Sequence, residues 1–205
     1  THRRNNDSYG DSTVMASELH VDAIKHSGGT SALTINSSGN IHKAGMVLQV
    51  VNSIRNTAVS TTSTTFATID DLSLNIIPKF STSKILVEVK LNNISTDSGY
   101  LALFRLVRDS TVIAAHSGSG LIHNASAFAG GGGGGQSDST YNGGDARKIN
   151  SGGVTFLDSP TTTSSTNYKV QISSSNQGST VYLNRWALNA DVGAVSSITL
   201  MEVAQ

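Results

Sequence analysis

Acids and histidines are the residues of this chain whose types could do chemistry, and their spacing decides whether they do. A glycosidase needs two carboxylates across a cleft, one to protonate the leaving oxygen and one to attack or to activate water. Only 14 of the 205 residues are Asp or Glu. Asp70 and Asp71 are adjacent and read as a turn, where Asp is favoured. Glu88 and Glu202 alternate with apolar neighbours and read as polar strand faces. Asp158, ahead of Ser159 and Pro160, reads as a turn-former. Acids this few, each with a structural role, argue against a buried catalytic pair. The six histidines, His2, His20, His26, His42, His116 and His123, are scattered, with no HExxH and no zinc-ligand spacing. His116 and His123 border a long loop and read as solvated; one of them meeting its copies at a threefold axis is the remaining route to a metal. Cysteine is absent, which removes disulfides, zinc-thiolate sites and cysteine nucleophiles. No GxSxG elbow occurs. The expectation is no enzyme, no cofactor and no metal.

The stretch AFAGGGGGGQSDSTYNGG, residues 127 to 144, holds six consecutive glycines, Gly130 to Gly135. A phosphate loop would need Lys and Ser or Thr after the glycines and a helix beyond them. Here Gln136, Ser137 and Asp138 follow, with no helical periodicity. A dinucleotide fold fails for the same reason. A domain linker fits the flexibility of glycine, but strands resume at Val154, and 153–205 is short for a core of its own. A packed polyglycine helix would need partner segments for its backbone groups, and no repeats supply them. The region 117–152 is therefore read as one long loop between strands of a single domain. It is either a mobile surface excursion or a contact loop for a receptor or a neighbouring subunit. Asp138, Tyr141, Asn142 and Asp145 are its candidate sugar-binding groups, an aromatic face with short polar arms.

The rest of the chain must position that loop, and it reads as strands. ELHVDAI (18–24) and ALTINSSGNI (32–41) alternate weakly, joined by Gly and Asn turns. MVLQVVNSI (46–54), TFATI (65–69), LSLNIIP (72–78) and KILVEVKLNNI (84–94) follow. In the last of these Ile85, Val87, Val89 and Leu91 face one way and Glu88 and Lys90 the other. YLALFRLVRDSTVIAA (100–115) reads as a hairpin turning at RDST, with Arg105 and Arg108 on an outward face. GVTFLDSP, NYKVQISSS, TVYLNRWAL and SSITLMEVA complete the pattern, with Trp186 read as core. About eight or nine short strands with turns between them predict an all-β protein, an antiparallel sandwich of jelly-roll type. Residues 1–14 read as a polar tail, 15–44 as a thin β segment, and 45–205 as the head, with IHKAG (41–45) as the joint.

Composition agrees. Apolar residues make up 37%, and Ser with Thr about a quarter, which suits thin β layers. Lys plus Arg equals Asp plus Glu at 14 each, so charge offers no case for nucleic acid or an anionic membrane. No run of about 18 apolar residues exists to insert in a bilayer.

The order MVLQVVNS, TTSTTFATIDDLSLNIIPKFSTSKILVEVKL, FRLVRDSTVI, FLDSPTTTSSTNYKVQI, VYLNRW and SSITLMEVA resembles a C-terminal domain common in tail fibre and other virion proteins of tailed bacteriophages, many of them marine. The resemblance covers about residues 45–205. ELHVDAIKHSGGTSALTINSSGNI looks like the short β segments that precede such domains. What it implies is a non-enzymatic virion component, a homotrimer that meets other virion proteins through its N-terminal segment and a host-surface glycan or protein at its far end. A single shaft-like segment favours a short fibre, a tip, a knob or a decoration protein. Short strands with one apolar row can close a prism when three chains wrap together. Leu19, Val21, Leu33 and Ile35 are the expected trimer contacts.

Overall fold

A computed structural model of the chain describes residues 20–97, 100–114, 128–130, 150–188 and 190–205, with backbone alone at 128–130. All its regular structure is antiparallel β, with no helix among the described residues. The chain divides into two compact units between Ile41 and His42, at the start of the expected joint.

The first unit carries β1 (Ala23–Lys25) and β2 (Ser31–Ile35), and β3 (Ile41–His42) completes a three-stranded sheet in the order β1-β2-β3. Gly29 and Gly39 close its turns at φ +85° and +77°, a region where other residues are strained. The register sets Ile24 opposite Leu33 and Ala23 opposite Thr34. Opposed residues share a face, so Leu33 lies with Ile24, and Ala23 lies on the other side. Val21 precedes the strand and is half-buried, as are Leu33 and Ile35. Leu19 lies outside the described residues.

The second unit is sandwich-like. Its strands are β4 (Val47–Arg55), β5 (Val59–Thr61), β6 (Ala67–Ile76), β7 (Lys84–Thr96), β8 (Ala102–Arg108), β9 (Thr111–Ile113), β10 (Phe128–Gly130), β11 (Asn150–Asp158), β12 (Thr166–Ser174), β13 (Val181–Leu183) and β14 (Ser196–Val203). One sheet runs β4-β14-β7-β13-β5, with β11 also on β7. Residues Ile85 to Val89 pair with β14 and with β11 at once, so those two strands flank β7. The other sheet runs β10-β8-β12-β6, with β9 beside β8. Alternation delivers the core: Ile85, Val87, Val89 and Leu91 of β7 with Ile198 and Leu200 of β14 meet Phe104, Leu106, Tyr168, Val170 and Ile172 of the facing sheet. Each such side chain contributes about 1.5–3 kcal/mol on burial.

Several expectations are corrected. Asp70 and Asp71 do not turn the chain; they lie inside β6, where the pairing with β12 shifts between Lys169 and Gln171. The extra residues let Ile69 and Leu72 both face inward. The stretch 117–152 is not one loop, because β10 pairs with β8 and β11 begins at Asn150. Arg105 and Arg108 do not share a face. Odd spacing puts Arg108 on the core side with Phe104 and Leu106, and Arg105 outside. Trp186 is half-buried beyond β13 and stays out of the core. Strand β5 carried no alternation long enough to predict.

Candidate functional site

The long strands set up two ends. At one end β4 begins and β14 finishes, and His42 Nε2 lies 2.7 Å from the carbonyl of Gln205. Gly45 N–H donates to Ala204 O, and Ala204 N–H to Met46 O, so the start and finish of this unit are stitched together. At the other end Gly130 pairs with Ala102, and Asn150 pairs with Ile94. Ala102 opens β8 and Ile94 lies near the close of β7, so both flanks of residues 131–149 sit at the end remote from His42 and Gln205. Asp138, Tyr141, Asn142 and Asp145 fall outside the described residues, as do His116 and His123. Tyr100, exposed beside β8, is an aromatic at that remote end which alternation alone assigns to a strand.

The remote end is held by amides. Asn93 and Asn184 both take left-handed φ, 52° and 59°, which Asn tolerates better than most residues. Asn184 Nδ2 donates to Arg55 O at 2.8 Å, and Ser196 Oγ donates to Asn184 Oδ1 at 2.6 Å. Asn93 Nδ2 donates to Val192 O at 2.9 Å, and Asn92 Nδ2 to Val195 O at 2.7 Å. Asp97 accepts from Thr180 N–H at 2.9 Å. These bonds tie the connections around β13 to β7, the strand whose Ile94 pairs with Asn150.

At the near end, two acids are buried and both are structural. Asp158 is 7% exposed and faces inward from β11. Arg108 Nη1 reaches both its oxygens, and the Tyr168 hydroxyl donates to Oδ2 at 2.6 Å. The hydrogen bond to Asp158 holds Arg108 above its ordinary pKa; burial, then the same carboxylate, raises Tyr168. Glu202, fully buried rather than on a polar face, accepts from Gln49 Nε2 at 2.6 Å, Lys79 N–H at 2.7 Å and Phe80 N–H at 3.3 Å. It fastens the turn after β6 to β14. Sequence alone hid this because Glu202 sits where alternation permits either face.

On the outer side, Arg105 stacks 4.2 Å from the Phe66 ring centre and its Nε donates to Gln171 at 2.6 Å. Burial lowers its pKa. Among the described residues no three metal-ligating side chains gather. Compared with known proteins, the chain matches no family model and no curated sequence.

Proposed function

We propose that the chain is a structural protein of a tailed-phage virion, a short trimeric tail fibre or fibre-tip module that attaches the particle to its host and performs no catalysis. The observation that carries this reading is the two-ended head. The lead-in at His42–Met46 is stitched to Ala204 and Gln205, while the flanks of 131–149 sit at the opposite end. A module fixed to a particle at one end and engaging a surface at the other needs that separation. The strand orders also suit the finer fold proposed for the head. Eight of the strands, in the orders β4-β14-β7-β11 and β6-β12-β8-β10, follow the order that a jelly roll would have, and this supports the jelly-roll reading. In this reading Asp138, Tyr141, Asn142 and Asp145 meet a surface glycan, and Leu19, Val21, Leu33 and Ile35 join three chains.

The test is binding of the purified full chain to an array of bacterial surface polysaccharides, beside a variant lacking residues 131–144. Attachment predicts that the chain binds and the deletion abolishes binding with its circular dichroism intact. Equal binding by both would sink the glycan-loop reading. A second reading, a capsid decoration or tail accessory with a purely structural role, is favoured by exposed apolar residues on β4 and β11, Val47, Val50, Ile54 and Leu157. It predicts no glycan binding and a deletion that fails to join the particle.

A further inference from the structure

Neighbours on β6 and β12 hold the Arg105 guanidinium flat on the outer face of the β8-β12-β6 sheet. It stacks 4.2 Å from the centre of the Phe66 ring, just ahead of β6, and its Nε donates to Gln171 Oε1 of β12 at 2.6 Å. Gln171 Nε2 donates onward to Thr68 Oγ1 of β6 at 3.2 Å. Nε is thus committed, whereas the Nη nitrogens have no hydrogen-bond partner among the described residues. Arg55 and Arg108 each hold a carboxylate, but no ion pair among the described residues includes Arg105. Asp71 belongs to Arg55, and Asp70 lies on β6, two strands or about 10 Å away.

The setting is partly dry. Leu103 and Val107 flank Arg105 on the same face, and each is 3% exposed although neither belongs to the core cluster. Burial disfavours the cation there. Ser173 lies opposite Leu103 on this face, and its Oγ is fully buried with no hydrogen-bond partner. Diagonal neighbours on paired strands stand about 7–8 Å apart, within reach of a long side chain. An anion on the Arg105 fork therefore supplies the missing counter-charge and brings acceptor oxygens into the neighbourhood of Ser173. A low local dielectric strengthens any bond made there.

The chemistry selects the ligand. The end of a guanidinium fork matches the two oxygens of a carboxylate. A nucleic acid would need a row of cations along its backbone, and the outer rows of β8 and β12 hold Arg105 and Lys169 alone. A protein partner would be anchored by large apolar side chains, and none is exposed on the described rows of β6, β8 and β12. Hydroxyls border the site instead. Residues 62–65, all Thr or Ser, are exposed just ahead of Phe66, as is Thr68 beyond it. Such groups both donate and accept, which suits the hydroxyls of a sugar. The site also lies toward the remote end, where Ala67 pairs with Ile172 and Ala102 with Ser174.

We propose that Arg105, set by Phe66 and Gln171 and aided by Ser173, binds the carboxylate of an acidic polysaccharide on the outer face of β8 and β12. The biological role of this site rests on the attachment reading above; its chemistry does not.

The experiment is calorimetric titration of the full chain at low salt with polygalacturonate, alginate and hyaluronate, each beside its methyl ester. The expected result is binding of at least one acid and none of its ester. Binding of none of the three overturns the proposal, as does equal binding of acid and ester. Arg105→Gln is expected to lower the affinity roughly 10–100-fold. Arg105→Lys keeps the charge without the fork and is expected to recover only part of the loss. Lys90→Gln removes the same charge from an exposed position on the other sheet and is expected to change nothing. Equal losses in Lys90→Gln and Arg105→Gln would assign the binding to bulk charge and overturn the site. Should Arg105→Gln fail to fold, the Arg105 Nε–H resonance of the parent decides: it shifts with the acid and not with the ester. A resonance unmoved at saturation overturns the proposal. A chain that binds a uronate yet adsorbs to no bacterial surface keeps the site and ends the attachment role. Binding of neutral polysaccharides alone, lost with residues 131–144, does the reverse.

Discussion

Arg108 and Asp158 reach each other from opposite sheets: one guanidinium nitrogen lies 2.8 and 2.7 Å from the two carboxylate oxygens. Arg108 closes β8 and Asp158 closes β11, so the ion pair bridges the two layers at the near end. Removing one member of a buried pair strands the other. Asp158→Ala is expected to cost about 3 kcal/mol, the low end for such pairs because Arg108 keeps some contact with water. Asp71→Ala, which breaks the Arg55–Asp71 pair at 3.1 Å with Asp71 53% exposed, is expected to cost under about 1 kcal/mol. Urea unfolding of the two variants measures the difference, and equal losses would remove the clamp from the account.

Tyr168 makes stability depend on alkaline pH. Burial first, and then the bond to Asp158, push its hydroxyl above the ordinary range. The unfolded chain ionises this group near pH 10 while the folded chain keeps the proton, so above that pH the unfolded state binds fewer protons. The contribution is whole below about pH 10 and falls by about 1.4 kcal/mol per pH unit above it. Tyr168→Phe should cost about 1–2 kcal/mol at neutral pH through its lost hydrogen bond. It should also flatten the alkaline decline, read by unfolding between about pH 8 and 11. A decline of unchanged slope in the variant would assign it to other groups.

Glu202 accepts three hydrogen bonds where three donors converge. Glu202→Gln turns an amide NH₂ toward those donors, so at least one bond is lost inside the fold. The expected cost is about 2 kcal/mol. Hydrogen exchange should quicken at the amides of Lys79 and Phe80 before the core strands respond. Unchanged protection at both amides would contradict this anchoring.

Gly153 of β11 leaves no room for a side chain beside β7. A Cβ there would stand 2.2 Å from the backbone carbonyl of Val89, which cannot swing aside as a side chain would. Gly153→Ala is expected to cost on the order of 3 kcal/mol and to loosen the pairing around Val154 and Val89. Calorimetry tests it, and a melting temperature equal to the parent's would show that the strands yield freely.

Alternation made the sandwich legible wherever one face meets the core. β7 shows it best: alternation sets Ile85, Val87, Val89 and Leu91 in one row, and all are buried. The hairpin of β8 and β9 at Asp109 and Ser110 was likewise readable from RDST. What escaped lies where period two breaks or where a polar residue is buried with partners remote in sequence. Asp70 and Asp71 mimic a turn because a bulge uses the same residues. Asp158 and Glu202 find their donors far along the chain or across the sheet, and nothing local announces Arg108, Tyr168 or Gln49. β10 is three residues long and is visible through its pairing with β8 alone. The candidate sugar-binding residues are legible only as a composition, Tyr141 among Asp and Asn, and lie outside the described residues, whereas the placing of their flanks Gly130 and Asn150 is a property of strand order.

That placing has an evolutionary consequence. Gly130 and Asn150 are strand ends belonging to different sheets, each held by its own neighbours. A flexible connection between two such posts would double in length for only about 0.6 kcal/mol of added closure entropy. The core rows of β7, β12 and β14 take no residue from 131–149, so their registers are set by other parts of the sequence. On the attachment reading proposed above, a lineage carrying this head could change what it recognises without relearning how to fold.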